Sequence, residues 1–414
     1  MHDQHEDRES TPTDLRRRAF LGAGAVGALG AALLDQVPAA QAQEAARGKD
    51  AARPRDAVLP RRVLGRTGVE VTILNLGTWK SVGLDRILRF AWANGVRYID
   101  TAQSYGSEPA IGRWLQANPE VRKQIFLATK DHPGRPGDML SRVDERLSKL
   151  QTDYIDLLFF HALGSSQVDW PKSKEMKEAV EAIKKTGKVK FVGFSTHDPR
   201  RAEQLQAAAE GGFIDVIMIQ NNPWLAEQAP INRALDACHK RGIGLVSMKQ
   251  IAGQTDTREM ERRLPELKEQ GLTPYQALLH AIWSDERFSA ACVSMRNTDQ
   301  VRDNAEAARK FKPMTRAQIE RLRDACIAAG PTFCADCDGR CSRAAGTHAE
   351  LGNLTRLLTY HEHHGYRSEA RRIYGELTDE ARRWEGADLA AAREACPNKL
   401  DFAGLLPRVD ELLS

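Results

Sequence analysis

From about residue 61 onward, short apolar runs alternate with stretches whose apolar residues recur every three or four positions. The runs are Ile73–Gly77, the run ending at Asp100, Ile125–Thr129, Tyr154–Phe160, Val189–Phe194, Ile214–Gln220, Gly244–Met248 and Ala290–Val293. They are nearly continuous and rich in branched residues, which suits parallel strands buried on both faces. Between them the spacing predicts helices over 84–92, 109–115, 139–150, 174–185, 200–209, 232–241 and 298–309. A longer helical region after 248 breaks near Pro274, and Gly95 and Gly187 stand as helix stops. Ahead of the first strand, Arg62–Val71 reads as a short hairpin. Eight strands with helices between them imply an α/β fold closed into a (β/α)8 TIM barrel. An open doubly wound sheet is the competing arrangement. No Gly-rich phosphate loop follows the first strand, where that fold carries one.

The two ends of the chain break the pattern. Residues 1–15 are polar and acidic, and Arg16-Arg17-Arg18-Ala19-Phe20-Leu21 opens a Gly/Ala-rich apolar run to Leu34. Ala40-Gln41-Ala42 then offers a small-x-small cleavage site. This layout describes an export signal, too short for a permanent membrane span. The paired arginines resemble the twin-arginine signal, which implies a periplasmic or exported protein. The organisation expected is a signal over 1–42, a linker over 43–60, the barrel over 61–312 and an appended helical domain over 313–414. That last segment is rich in Ala, Arg and Glu and holds five of the seven cysteines.

Composition narrows the function classes. Of 414 residues, 60 are Lys or Arg and 56 are Asp or Glu, a net charge of +4. So even a balance gives no electrostatic case for nucleic acid or a membrane surface. With 42% apolar and 28% charged residues, the chain is an ordinary globular one.

The candidate chemistry sits at three strand ends. One run ends at Asp100, with Tyr105 five residues on; the next ends at Lys130, and the next at His161. The mouth at the strands' C-terminal ends is where a parallel barrel keeps its chemistry. A carbonyl accepting hydride needs a proton on its oxygen. Tyrosine can give one if its pKa is pulled down, and a nearby ammonium does so. Lys130 can supply the ammonium, Asp100 can hold it, and His161 can orient the oxygen or relay the proton.

Asp100-Thr101-Ala102 with Tyr105-Gly106, Lys130 after Ala128-Thr129, and His161 after Leu158-Phe159-Phe160 resemble the aldo-keto reductase family over roughly residues 61–310. The resemblance implies NADP(H) as hydride carrier, a small-molecule carbonyl or alcohol as substrate, Tyr105 as general acid, and Asp100, Lys130 and His161 as its partners. It implies Ser195 and Gln220 as contacts of the nicotinamide carboxamide, with Asn221, Asn222, Pro223 and Trp224 shaping the pocket. The segment from Val293 through Ser294 to Asn304 resembles the one that meets the adenosine phosphate. There Arg296 supplies charge, and Gln300 and Asn304 match adenine-side positions. Departures are Thr196 for the usual Asn, Val293-Ser294 for Pro-Gly, and Ser247-Met248-Lys249 where an aromatic stacks on nicotinamide. The Met-Lys pair resembles a branch that carries iron–sulfur domains.

Cys334, Cys337 and Cys341 form a tight trio, and Cys396 is followed by Pro397. Three close thiolates and a remote Cys-Pro resemble ferredoxin-type ligation of a 4Fe–4S cluster, with one residue inserted before Cys341. Structural zinc at the same thiolates is the alternative. Cys238, Cys292, Cys326 and His280 read as core, and His361-Glu362-His363-His364 as a solvated helix face. Two functions remain open: an exported hydride-transfer enzyme, or an electron-transfer or binding protein on the same scaffold with catalysis lost. The first raises a supply problem, because NADPH is a cytoplasmic currency. An electron-transfer partner would answer it.

Overall fold

The computed structural model describes residues 58–223, 229–250, 257–329, 334, 339–362 and 366–414. The expected export signal, Trp224, Cys337, His363 and His364 lie outside the described residues. Pro54–Ser414 form one compact unit.

Two short strands, β1 (Arg61–Val63) and β2 (Glu70–Thr72), make the antiparallel hairpin. Eight further strands close into a barrel: β3 (Leu74–Gly77), β4 (Tyr98–Asp100), β5 (Phe126–Asp131), β6 (Ile155–Phe160), β7 (Val189–Thr196), β8 (Val216–Gln220), β9 (Gly244–Met248) and β10 (Phe288–Ser294). Every barrel pair is parallel, and β10 returns to β3. The open-sheet alternative is thereby ruled out.

Side-chain parity explains both cores. In β5, Phe126 and Ala128 join the cluster inside the barrel, while Leu127 joins the cluster under the helices. Tyr98 and Ile99 divide the same way in β4, and Leu157 and Leu158 in β6. Since successive strand residues face opposite sides, Asp100, Lys130 and His161 all take inward parity at the top of that interior cluster. Ser195, Gln220 and Ser294 fall on inward parity too.

The hairpin lies against the opposite end. Arg62 donates to the carbonyl of Phe288 at 2.8 Å, at the start of β10. Gly65 lies so close to β9 that a Cβ would stand 2.3 Å from the Gly244 nitrogen, at a φ of +50°. Only glycine fits there.

The helices match their expected positions closely; Met139–Leu150 and Lys174–Lys185 are as the spacing predicts. The region after β9 splits into Thr257–Arg263, Pro265–Glu269 and Pro274–Trp283. Beyond the barrel, Arg316–Ala329 packs on these through Met260, Leu264, Leu278 and Cys326. Four longer segments, Leu351–Glu362, Arg367–Glu376, Leu389–Ala395 and Phe402–Leu413, share a separate core with Cys341 and Cys396. No helix among the described residues is long and apolar enough to cross a membrane.

Candidate active site

Parity delivers Asp100, Lys130 and His161 to one place, and the turn Gln103–Tyr105 after β4 brings Tyr105 to them. Lys130 Nζ donates to Asp100 Oδ2 at 2.5 Å and to the carbonyl of Thr101 at 2.8 Å. Both side chains are buried, Lys130 to 1% exposure and Asp100 to 2%. The ammonium stands 5.1 Å from the centre of the Tyr105 ring. Tyr105 meets His161 edge to face, ring centroids 5.6 Å apart. His132, which no sequence motif singled out, lies 4.3 Å from His161.

The electrostatics divide the roles. Burial pulls the Lys130 ammonium down, but Asp100, Tyr105 and Cys292 outweigh it and hold the group charged. Burial pushes the Tyr105 phenol up to about 12, with the charge and hydrogen bond of Lys130 acting against it. The expectation of a net lowered tyrosine is corrected here, because desolvation of the phenolate exceeds the help of one ammonium. Tyr105 is therefore kept as the neutral phenol at pH 7. His161 is driven well below its ordinary value by burial, then by Lys130, His132 and Lys249, so its imidazole is neutral. Its Nδ1 is enclosed and has no hydrogen-bond partner.

A second, buried layer fixes the loop that carries Tyr105. Ser107 Oγ lies 2.6 Å from Thr101 Oγ1 and 2.8 Å from Thr78 Oγ1. Glu108 accepts from Thr129 Oγ1 at 2.7 Å and from Arg146 Nη1 at 2.7 Å. Arg146 Nε is also 3.4 Å from Asp131 Oδ2, and the Asp131 carbonyl accepts from the His161 backbone N–H at 2.9 Å. One buried guanidinium thus joins the Tyr105 loop to the strand bearing Lys130. Nothing in the sequence around Arg146 signals this. Cys292, expected as core, is partly exposed on the inner face of β10. Its sulfur would lie 3.0 Å from a Cβ placed on Gly77, whose register partner is Asp100.

The residues expected to meet a cofactor are less uniformly disposed. Ser195 Oγ accepts from the Ala162 N–H at 2.9 Å. Gln220 Oε1 accepts from Arg356 Nη1 at 2.8 Å. Ser294 ends β10 beside Gly77. Arg296 has its guanidinium 5.1 Å from the Tyr366 ring centre, and its N–H donates to Gln300 Oε1 at 2.7 Å. Asn297, absent from the expected contacts, caps the helix Thr298–Lys310 by accepting from the Gln300 N–H at 2.9 Å. Asn304 is buried in that helix. Tyr366 also meets Trp79 at 5.3 Å and Lys80 at 4.1 Å.

Three of the four expected metal-binding cysteines are described. Cys341 and Cys396 share one core, with Cys334 packed against it. Burial and the neighbouring Cys396 push the Cys341 thiol up. A Cβ on Gly352 would stand 3.3 Å from Cys334 Sγ and 4.0 Å from Cys341 Sγ, so a glycine leaves the two sulfurs their room. A cavity lined by these two cysteines, His197, Arg201, Gln220 and Arg356 connects the sulfurs with the barrel mouth. Among the described residues no group of three or more His, Cys, Asp or Glu side chains has metal-holding geometry. His280 is a satisfied core histidine, 2.9 Å from the Ala307 carbonyl. His361 is buried at 7% exposure, not on a solvated face as expected, because its helix packs inside the C-terminal core.

Comparison with known proteins agrees with the barrel fold. The model of the Aldo/keto reductase family matches residues 76–327. The uncharacterized oxidoreductase YrpG of Bacillus subtilis (strain 168) is 31% identical over 219 residues, 46% of this chain and 66% of that protein. The chain thus spans just under two thirds of that relative. Aldo-keto reductase family 1 member A1 of Mus musculus is 25% identical over 295 residues, 63% of this chain and 88% of that protein. A crystal structure of an aldo-keto reductase complexed with NADPH has the same fold at a TM-score of 0.51 and 21% identity, covering 65% of this chain and 88% of that one.

Proposed function

This chain belongs to the aldo/keto reductase family, and from that premise we propose that it is an NADP(H)-dependent oxidoreductase acting on a small carbonyl or alcohol. The observation that carries the proposal is the buried Lys130 ammonium, 2.5 Å from Asp100 and 5.1 Å from the Tyr105 ring, at the C-terminal ends of adjacent barrel strands. A nicotinamide, when bound, supplies or accepts the hydride. The chain supplies the proton and the orientation. Tyr105 stays protonated in the resting site and gives its proton to the substrate oxygen. Lys130 stabilises the phenolate left behind, and Asp100 holds Lys130. Neutral His161 orients the oxygen by hydrogen bonding.

The cofactor would be held by Ser195 and Gln220 at the carboxamide end and by Ser294, Arg296, Gln300 and Asn304 at the phosphate and adenine end. Inward parity supports the first pair. At the second end, the N-terminus of Thr298–Lys310 suits an anion, and Arg296 adds a guanidinium. Cys334, Cys341 and Cys396, with Cys337 outside the described residues, would hold a 4Fe–4S cluster or a zinc ion. Support for a bound group there is the shared core, the glycine beside two sulfurs, and the cationic lining of Arg201 and Arg356. Export by the twin-arginine route, with cofactor loaded before export, completes the proposal.

Titration of the full-length protein with NADPH, followed by NADPH consumption with short aldehydes, tests the catalytic reading. Saturable binding and turnover are expected. A protein that binds NADPH but turns over no carbonyl favours the electron-transfer or binding reading, to which Tyr366 packed over Arg296 lends a specific observation. Metal analysis with an absorption spectrum separates a brown cluster from colourless zinc.

A further inference from the structure

The C-terminal helix Leu351–Glu362 reaches the barrel mouth through one side chain. Arg356 is 6% exposed and Gln220 is 2% exposed. Arg356 Nη1 donates to Gln220 Oε1 at 2.8 Å. Its other terminal nitrogen donates to Asn353 Oδ1, and its guanidinium lies 5.7 Å from the Tyr360 ring centre. No carboxylate lies within 4.0 Å of Arg356 among the described residues. The guanidinium thus bridges its own helix and one barrel residue.

A guanidinium has donors only, and a glutamine amide presents either oxygen or nitrogen. Arg356 therefore decides which way Gln220 faces. The oxygen is drawn to the cation by a charge-assisted bond. The nitrogen, Nε2, is turned away, and no described residue accepts from it. A nicotinamide carboxamide carries a carbonyl oxygen that needs such a donor. We propose that Arg356 is a positioning residue for the nicotinamide subsite, locking Gln220 with its N–H2 toward the carboxamide oxygen. The inference rests on the NADP(H) reading above. It makes the C-terminal segment part of the cofactor site, since the barrel alone leaves Gln220 free to flip and the appended helix orders it. The same helix carries Gly352 against the Cys334 and Cys341 sulfurs, one turn before Arg356. The cysteine pair thus lies against the helix that carries the residue ordering the cofactor site.

The test is fluorescence titration of full-length protein with NADPH for wild type, Arg356→Met, Arg356→Lys and Gln220→Glu. Arg356→Met is expected to raise the NADPH Kd about tenfold or more, the loss of one well-oriented hydrogen bond to a buried group. At saturating NADPH its kcat with a short aldehyde stays within about threefold, since Asp100, Tyr105, Lys130 and His161 are untouched. Arg356→Lys recovers part of the affinity. Gln220→Glu keeps an oxygen acceptor for Arg356 but has no N–H, so it weakens NADPH to the same degree without lowering Tm; it decides the matter if Arg356→Met does not fold. A Kd within about twofold of wild type for Arg356→Met, or for Gln220→Glu, overturns the inference. Wild type that binds no NADPH overturns the cofactor reading itself, and this inference with it.

Discussion

Replacing Lys130 with Met probes the proposed proton source at its most charged point. The ammonium is 5.1 Å from the Tyr105 ring centre. At an effective dielectric near 20, two unit charges at that distance interact by about 3 kcal/mol, a factor of roughly 200 in rate. Its loss also removes the main influence that opposes burial at Tyr105, so the phenol rises further from about 12. Steady-state kinetics of carbonyl reduction should show kcat down by about 10²–10³, with KM for NADPH little changed. Stability should fall as well. Asp100 would be left buried without its partner, and breaking such a pair costs about 3–5 kcal/mol. Urea unfolding reads this directly. The double variant Asp100→Asn, Lys130→Met removes the orphaned charge, so it should regain most of that stability and none of the activity. Activity of Lys130→Met within about threefold of wild type would refute the assigned role. So would a double variant as inactive but no more stable than the single one.

Other outcomes follow from the same geometry. Arg146→Met should cost about 3–5 kcal/mol in urea unfolding, because it strands the Glu108 carboxylate in the interior, while Asp131 keeps Arg142 at 3.0 Å; a loss under about 1 kcal/mol would show the network to be dispensable. His161 and His197 are both held well below the ordinary histidine value, so the unfolded chain binds more protons than the folded one below about pH 6.5. Tm should therefore fall as pH drops from 7 to 5, the unfolding free energy falling by up to about 1.4 kcal/mol per pH unit for each imidazole kept neutral; a flat profile would contradict that. With Tyr105 at about 12, alcohol oxidation, which needs the phenolate, should climb close to tenfold per pH unit up to about pH 10, and a plateau near pH 8 would place the acid elsewhere. On the proposed metal site, Gly352→Ala pushes a methyl against Cys334 Sγ, 3.3 Å away, and should lower the iron or zinc per chain found by elemental analysis of wild type; no metal in wild type, or unchanged content in the variant, would contradict a metal site at these sulfurs.

The barrel was legible because doubly covered parallel strands leave a strong mark. Phe126-Leu127-Ala128 is apolar throughout since both faces are buried, one in the barrel and one under the helices. The same parity carried Asp100, Lys130 and His161 inward, so their place at run ends was enough to bring them to one face of the barrel. What escaped the sequence lies in contacts between distant segments. Arg146 reads as an ordinary helix-face arginine until Glu108, 38 positions earlier, is seen against it. Arg356 is 136 positions from Gln220. His361 looked solvated because its neighbours are polar, but tertiary packing decided its burial. The sign of the Tyr105 shift was missed for a related reason: a sequence names the ammonium but not the depth of burial that outweighs it.

The central claim is that Tyr105 is the proton donor in a hydride-transfer site. The direct measurement is NADPH-dependent carbonyl reduction by wild type and Tyr105→Phe, alongside NADPH binding to each. The phenylalanine keeps the ring contact with His161 and removes only the hydroxyl. Binding should be retained and kcat should fall by about 10²–10⁴, the range for loss of a general acid. Equal turnover in the two proteins would contradict the account.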